Sequence, residues 1–156
     1  MIKKANLIVS RLKDKKIDLS VAESCTGGMF SQNITSVSGA SKIFTFGIIT
    51  YSDQSKIKFL NVPSDIIRKY GAVSKECCFS MIEGLKKISK AKINIAITGI
   101  AGPKGGSKKK PVGLVYIGIN KGKVFKIVKC LFKNQNREGV RKNSVRKSLE
   151  LLEKFI

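Results

Sequence analysis

The chain has 156 residues, 42% of them hydrophobic, and its 31 Lys and Arg against 10 Asp and Glu give a formal net charge of +21. No histidine occurs anywhere, which excludes a Ser-His-Asp triad, a Cys-His pair and any His-bearing metal site within the chain. The composition fits one globular domain over residues 1–156, and no apolar run approaches the roughly 20 residues needed to span a bilayer.

Residues 2–16 place Ile2, Leu7, Ile8 and Leu12 at helical spacing, with lysines on the other side. The run Arg11-Leu12-Lys13-Asp14-Lys15-Lys16 cuts the apolar stretch too short for a signal peptide. Leu19 to Glu23 reads as a buried first strand, Met29 to Thr35 as a helix closed by Ser38-Gly39-Ala40-Ser41, and Phe44 to Tyr51 as a second strand. Ser52 is placed as the N-cap of a short helix that carries Lys56 and ends near Leu60. Ser64 is expected to cap another short helix that stops at Gly71, a left-handed C′ position. Ser74 caps a longer one with Cys78, Met81, Ile82, Leu85 and Ile88 as its apolar stripe.

Ile93 to Thr98 is a third strand, broken by the glycine-rich loop 99–107. Val112 to Ile119 and Lys123 to Phe132 form a hairpin across Asn120-Lys121-Gly122. Glu138 to Phe155 closes the chain as a helix with Val140, Val145, Leu149 and Leu152 inward. This order predicts an α/β fold, a three-layer α/β/α sandwich around a mixed sheet of about five strands. The four cysteines, Cys25, Cys77, Cys78 and Cys130, make no C-x-x-C pair and fit free thiols in a reducing cytoplasm.

The segment Val21-Ala22-Glu23-Ser24-Cys25-Thr26-Gly27-Gly28 leads from an apolar strand into a helix through hydroxyls, a thiol and paired glycines. Such a turn aims backbone N–H groups and a helix dipole at one spot, a setting for a nucleophile beside an oxyanion site. It is equally a glycine-rich connection with a serine cap. Without histidine, a nucleophilic Ser24 takes its base from a Lys, a carboxylate or a Tyr. Ligands collect beyond the carboxyl ends of strands in open α/β sheets, so Ser24, Tyr51, Lys56 and Thr98 are expected around one crevice. Each also has an ordinary structural reading: Lys56 is one of 26 lysines, Tyr51 a strand-end aromatic, Thr98 a strand terminator.

The charge has two readings. Residues 84–156 hold 19 Lys and Arg against Glu138, Glu150 and Glu153, which suits phosphate contacts with nucleic acid. Yet only 5 of the 31 basic residues are Arg, and aromatics make up 7%, so a solvated lysine-rich surface fits better. Nucleic-acid binding is expected to be weak and non-specific, and no membrane partner is expected.

Five motifs carry a resemblance: Ala22-Glu23-Ser24-Cys25-Thr26-Gly27-Gly28, Tyr51-Ser52-Asp53-Gln54-Ser55-Lys56, Tyr70-Gly71-Ala72-Val73-Ser74, Thr98-Gly99-Ile100-Ala101-Gly102-Pro103 and Lys110-Pro111-Val112-Gly113. In this order they resemble the CinA C-terminal family, known as nicotinamide mononucleotide deamidase, over about residues 5 to 152. The resemblance implies a cytoplasmic amidohydrolase, free of metal and cofactor, that converts nicotinamide mononucleotide to nicotinic acid mononucleotide and ammonia. It implies Ser24 as nucleophile, Lys56 as general base and Tyr51 assisting them as a bridge. Glu23, Thr26, Gly27, Thr98 and Gly99 would surround the amide and nucleotide. The family's late G-D-R arginine matches Arg137, with Arg141 as the neighbouring alternative; here the segment reads Asn134-Gln135-Asn136-Arg137. Lys104 stands where the family's G-P-G-G-G loop usually has glycine. A homo-oligomer, most simply a dimer, is also implied. Many relatives carry a further N-terminal domain similar to molybdopterin-binding domains, for which 156 residues leave no room. The competing reading from another class is a basic nucleic-acid-binding or competence-accessory protein without deamidase activity, and a third is an inactive ligand-binding relative.

Overall fold

The computed structural model describes all 156 residues. In chain order the elements are α1 (Ile2–Asp14), β1 (Leu19–Glu23), α2 (Met29–Thr35), a short 3-10 turn (Ala40–Lys42), β2 (Phe44–Ile49), α3 (Asp53–Leu60), α4 (Ser64–Tyr70), α5 (Lys75–Ser89), β3 (Ile93–Gly99), β4 (Leu114–Lys121), β5 (Val124–Leu131) and α6 (Arg137–Glu153). One sheet runs β2-β1-β3-β4-β5. β1 is parallel to β2 and β3, whereas β4 is antiparallel to both β3 and β5. This is the expected mixed five-stranded α/β fold.

Strand alternation divides the core. Leu19, Val21, Ile93, Ile95 and Ile97 face a large apolar cluster with Ile8, Val9 and Leu12 of α1, Phe30 and Ile34 of α2, and Val140, Val145, Leu149 and Leu152 of α6. Ala22 and Ala96 face the opposite cluster with Leu60, Cys77, Cys78, Met81, Ile82 and Leu85. Ala22, Ala96 and Gly118 lie side by side across three strands. A Cβ on Gly118 would stand 2.3 Å from Ile82 Cδ1, so this row of small residues is what lets α5 lie close to the sheet. Two residues nearer the start of β1, Ser20, Asn94 and Asn120 form a second register row. Ser20 Oγ donates to Asn94 Oδ1 at 2.8 Å, and Asn94 Nδ2 donates to Asn120 Oδ1 at 3.2 Å. All three are buried, and the row satisfies polar groups inside the molecule.

α3 starts as expected: Ser52 Oγ accepts from the Ser55 N–H at 3.0 Å, and Ser55 Oγ accepts in return from the Ser52 N–H at 3.1 Å. Its other end is pressed on α5, because a Cβ on Gly84 would fall 1.8 Å from the Leu60 carbonyl oxygen. Gly84→Ala is therefore expected to cost about 3 kcal/mol, the upper part of the overpacking range, since backbone rather than a flexible side chain must yield. Urea denaturation tests this, and an unchanged midpoint would contradict the packing described.

Several local expectations differ from the structure. Ile2 and Leu7 are exposed, and Ala5 and Val9 take their place beside Ile8 and Leu12 in the buried stripe of α1. Ile88 shares the helical stripe of Met81, Gly84 and Leu85, as its spacing predicts, yet it is exposed, in the last turn of α5 before the helix ends at Ser89. Ser64 lies inside α4, whose N-cap is Pro63 with no side-chain bond. Gly71 has φ +76 with ψ 162, an extended conformation reserved for glycine rather than left-handed helix. The hairpin turn is Gly122-Lys123; Asn120 belongs to β4, and its Nδ2 donates to the Gly122 carbonyl at 2.8 Å.

Candidate active site

The turn after β1 is held from within. Glu23 is fully buried, and its carboxylate accepts from the N–H groups of Gly28 (3.1 Å), Phe30 (3.1 Å) and Ser31 (2.9 Å) and from the Ser31 hydroxyl (2.6 Å). It caps α2, whose N-cap is Gly28 at φ +91 without a side-chain oxygen of its own. The start of α2 is thus occupied by Glu23 and is not open to a ligand. Gly27, also at positive φ (+56), donates its N–H to the Ser24 carbonyl at 3.0 Å and closes the turn around the serine. The backbone N–H groups of Cys25 and Thr26 make no hydrogen bond to another residue of the chain.

Alternation along β1 points Ser24 to the side opposite Glu23, toward α3. There Lys56 is 1% exposed, and its Nζ lies 3.1 Å from Ser24 Oγ and 2.8 Å from the Thr50 carbonyl oxygen, to which it donates. Thr50 is itself pinned to the turn, its N–H donating to the Glu23 carbonyl at 2.8 Å. Burial disfavours the ammonium and lowers the Lys56 pKa; nearby Cys77, Asp53 and Cys25 oppose the shift only in part. At this distance a neutral amine is within hydrogen-bond reach of the Ser24 hydroxyl proton.

The thiol next door is unsuited to attack. Cys25 belongs to the apolar core at 5% exposure, and burial pushes its pKa up to about 12.

A cavity of about 240 Å³ opens over Ser24, lined also by Tyr51, Gly99, Ala101, Lys104 and Arg137. Tyr51 is half exposed and its hydroxyl accepts from Arg137 Nη2 at 2.6 Å; it has no hydrogen bond to Ser24 or Lys56. Arg137 Nη1 donates to the Gly102 carbonyl at 2.7 Å, so this arginine ties the 99–107 loop to Tyr51. Arg141, one helical turn on, donates to the Thr26 carbonyl at 2.8 Å and packs under Gly27. Arg137 therefore faces the cavity, and Arg141 braces the serine turn. Of the other candidates, Gly99 lines the cavity, whereas Thr98 is buried and donates its hydroxyl to the Ala72 carbonyl at 2.9 Å. Thr26 is fully buried, with its hydroxyl oxygen unpaired.

The sequence model of the CinA C-terminal domain matches residues 2–156. The chain belongs to the CinA family. It is similar to the CinA-like protein of Pseudothermotoga lettingae, 46% identical over 134 residues, which are 86% of this chain and 33% of that one. It is also similar to the CinA-like protein of Thermotoga maritima, 50% identical over 117 residues, 75% of this chain and 29% of the relative. The chain thus spans about a third of the length of these relatives. Among solved structures, the competence/damage inducible protein CihA of Agrobacterium tumefaciens superposes with a TM-score of 0.96 at 32% identity, covering 98% of this chain and 93% of that one. A CinA superfamily protein of Escherichia coli gives a TM-score of 0.95 at 29% identity, covering 100% and 91%.

Neighbouring residues within the motifs of this CinA domain do different work. Ala22 faces the close-packed α5, Glu23 caps α2, and Ser24 faces Lys56. The Thr50 carbonyl that orients Lys56 had no side-chain signature by which the sequence would reveal it. Lys110, within the fifth motif, donates to the Tyr70 carbonyl and straps the long loop to the end of α4.

Proposed function

We propose that this CinA domain hydrolyses the carboxamide of nicotinamide mononucleotide, with Ser24 as nucleophile and Lys56 as general base. The observation that carries the reading is the buried Ser24–Lys56 contact at 3.1 Å, in surroundings that lower the pKa of the amine. The chemistry follows from it. Neutral Lys56 takes the Ser24 proton as Oγ attacks the carboxamide carbon. The oxyanion that forms is received by the free N–H of Cys25, the residue following the nucleophile. Protonated Lys56 returns its proton to the departing nitrogen, ammonia leaves, and an ester on Ser24 remains. Lys56 then draws a proton from water as its oxygen attacks the ester carbon, and returns that proton to Ser24 Oγ as the ester bond breaks, which frees the acid and restores the serine hydroxyl and the neutral amine. The turn, braced by Glu23 and Arg141, keeps these groups in place between steps.

Purified protein is expected to release ammonia and nicotinic acid mononucleotide in equal amounts, with EDTA having no effect. Absence of ammonia, together with tight DNA binding that survives salt, would favour the nucleic-acid reading. On the enzyme reading, DNA retention collapses between about 50 and 200 mM salt, as counterion release dictates for surface lysines.

A further inference from the structure

The cavity over Ser24 is electrically one-sided. Its lining includes two cationic residues, Lys104 and Arg137, and no acidic one. Neither cation takes part in an ion pair. Arg137 has spent one N–H on Gly102 and one on Tyr51, which leaves the rest of its fork free. Lys104 makes no hydrogen bond within the chain and stands exposed on the 99–107 loop, beside Gly102 (φ +82) and Gly105 (φ +91). The other lysines of this stretch are placed differently: Lys108 and Lys109 do not line the cavity, and Lys110 is committed to Tyr70.

We infer that Lys104 is a specificity residue: together with the free N–H groups of Arg137 it receives the phosphate of a mononucleotide whose ring amide lies against Ser24, and it sets the preference for that ligand over the phosphate-free nucleoside. This rests on the proposed function for the identity of the ring, but its own claim concerns the phosphate. A tetrahedral dianion suits one flexible point charge and one planar fork converging on it. A nucleoside of the same ring has no phosphate to offer, so it leaves both cations solvated and gains nothing from them.

The test uses ligands that cannot be deamidated. Nicotinic acid mononucleotide and nicotinic acid riboside are titrated calorimetrically into the full chain at low salt, for the parent, Lys104→Gln, Lys104→Glu and Lys109→Gln. The parent is expected to bind the mononucleotide at least about tenfold more tightly than the riboside, on the scale of one charge-assisted contact. Lys104→Gln narrows that ratio by about tenfold, Lys104→Glu narrows it further, and Lys109→Gln keeps it. Unchanged ratios in both Lys104 variants, a parent that does not discriminate, or an equal loss in Lys109→Gln each overturn the inference. Ammonia release is read in parallel. Lys104-dependent discrimination without ammonia leaves the inference standing and defeats the hydrolytic reading; ammonia release with Lys104-independent ratios does the reverse.

Discussion

Ser24→Ala is expected to reduce ammonia release more than about a thousandfold, while Cys25→Ala keeps most of the parent rate. Without the serine oxygen there is no attacking atom, and losing the central member of a nucleophile–base pair costs about as much as losing the pair. The thiol of Cys25 cannot substitute, because burial has pushed its pKa to about 12 and its side chain belongs to the core. What Cys25 offers is its backbone N–H, which alanine retains. Full activity in Ser24→Ala, or inactivation that tracks alkylation of Cys25 one-for-one, would overturn the assignment.

Lys56→Ala is expected to lower the rate by two to four orders of magnitude, the range for a removed general acid–base group. Lys56→Arg should do no better, since a guanidinium stays protonated and cannot accept the Ser24 proton. Lys58→Ala, on the exposed side of the same helix, should change little; equal losses at both positions would mean that bulk charge supports the reaction. The pH dependence carries a definite sign. Only the neutral amine is a base, so the rate rises with pH, with its midpoint below the ordinary lysine value of about 10.4. Stability follows the same proton. Burial puts the folded-state pKa below the unfolded one, so between the two values the unfolded chain holds a proton that the folded chain does not. The stability contributed at this position is therefore lowest below the folded pKa and grows as pH rises toward the unfolded value. Paired melting curves of the parent and Lys56→Met over that interval should show the parent gaining on the variant; parallel curves would mean that Lys56 is an ordinary solvated lysine.

The parts legible in the sequence were those with a local cause. Ser52 followed by Ser55 forms the expected cap, and the inward residues of α6 were given by their spacing. The parallel and antiparallel halves of the sheet followed from the order of helices and the hairpin. Glu23 shows where locality ends. Its place beside the serine fits a ligand contact, yet strand alternation turns it to the other face, where α2 lacks a capping oxygen and takes the carboxylate. Thr98 and Tyr51 were similarly placed near the crevice, but their hydroxyl partners, the Ala72 carbonyl and Arg137, come from distant segments. The division between Arg137 and Arg141 depends on which loops α6 meets, which no local pattern encodes.

The polar row of Ser20, Asn94 and Asn120 lies toward the opposite end of the sheet from the cavity, and its consequence is felt at the cavity all the same. These side chains satisfy one another in a single alignment of β1, β3 and β4. A one-residue slip would turn an amide into the apolar layer around Ile93 and Ile95, where it would have no partner. The row thus acts as a lock on phase, like the keyed end of a rod. Because each strand has a fixed length beyond the key, Ser24 leaves β1 and Gly99 ends β3 at heights that cannot drift relative to each other. Reacting groups need placement to a fraction of an ångström, and here part of that tolerance is set about four residues away, by side chains that never meet the ligand.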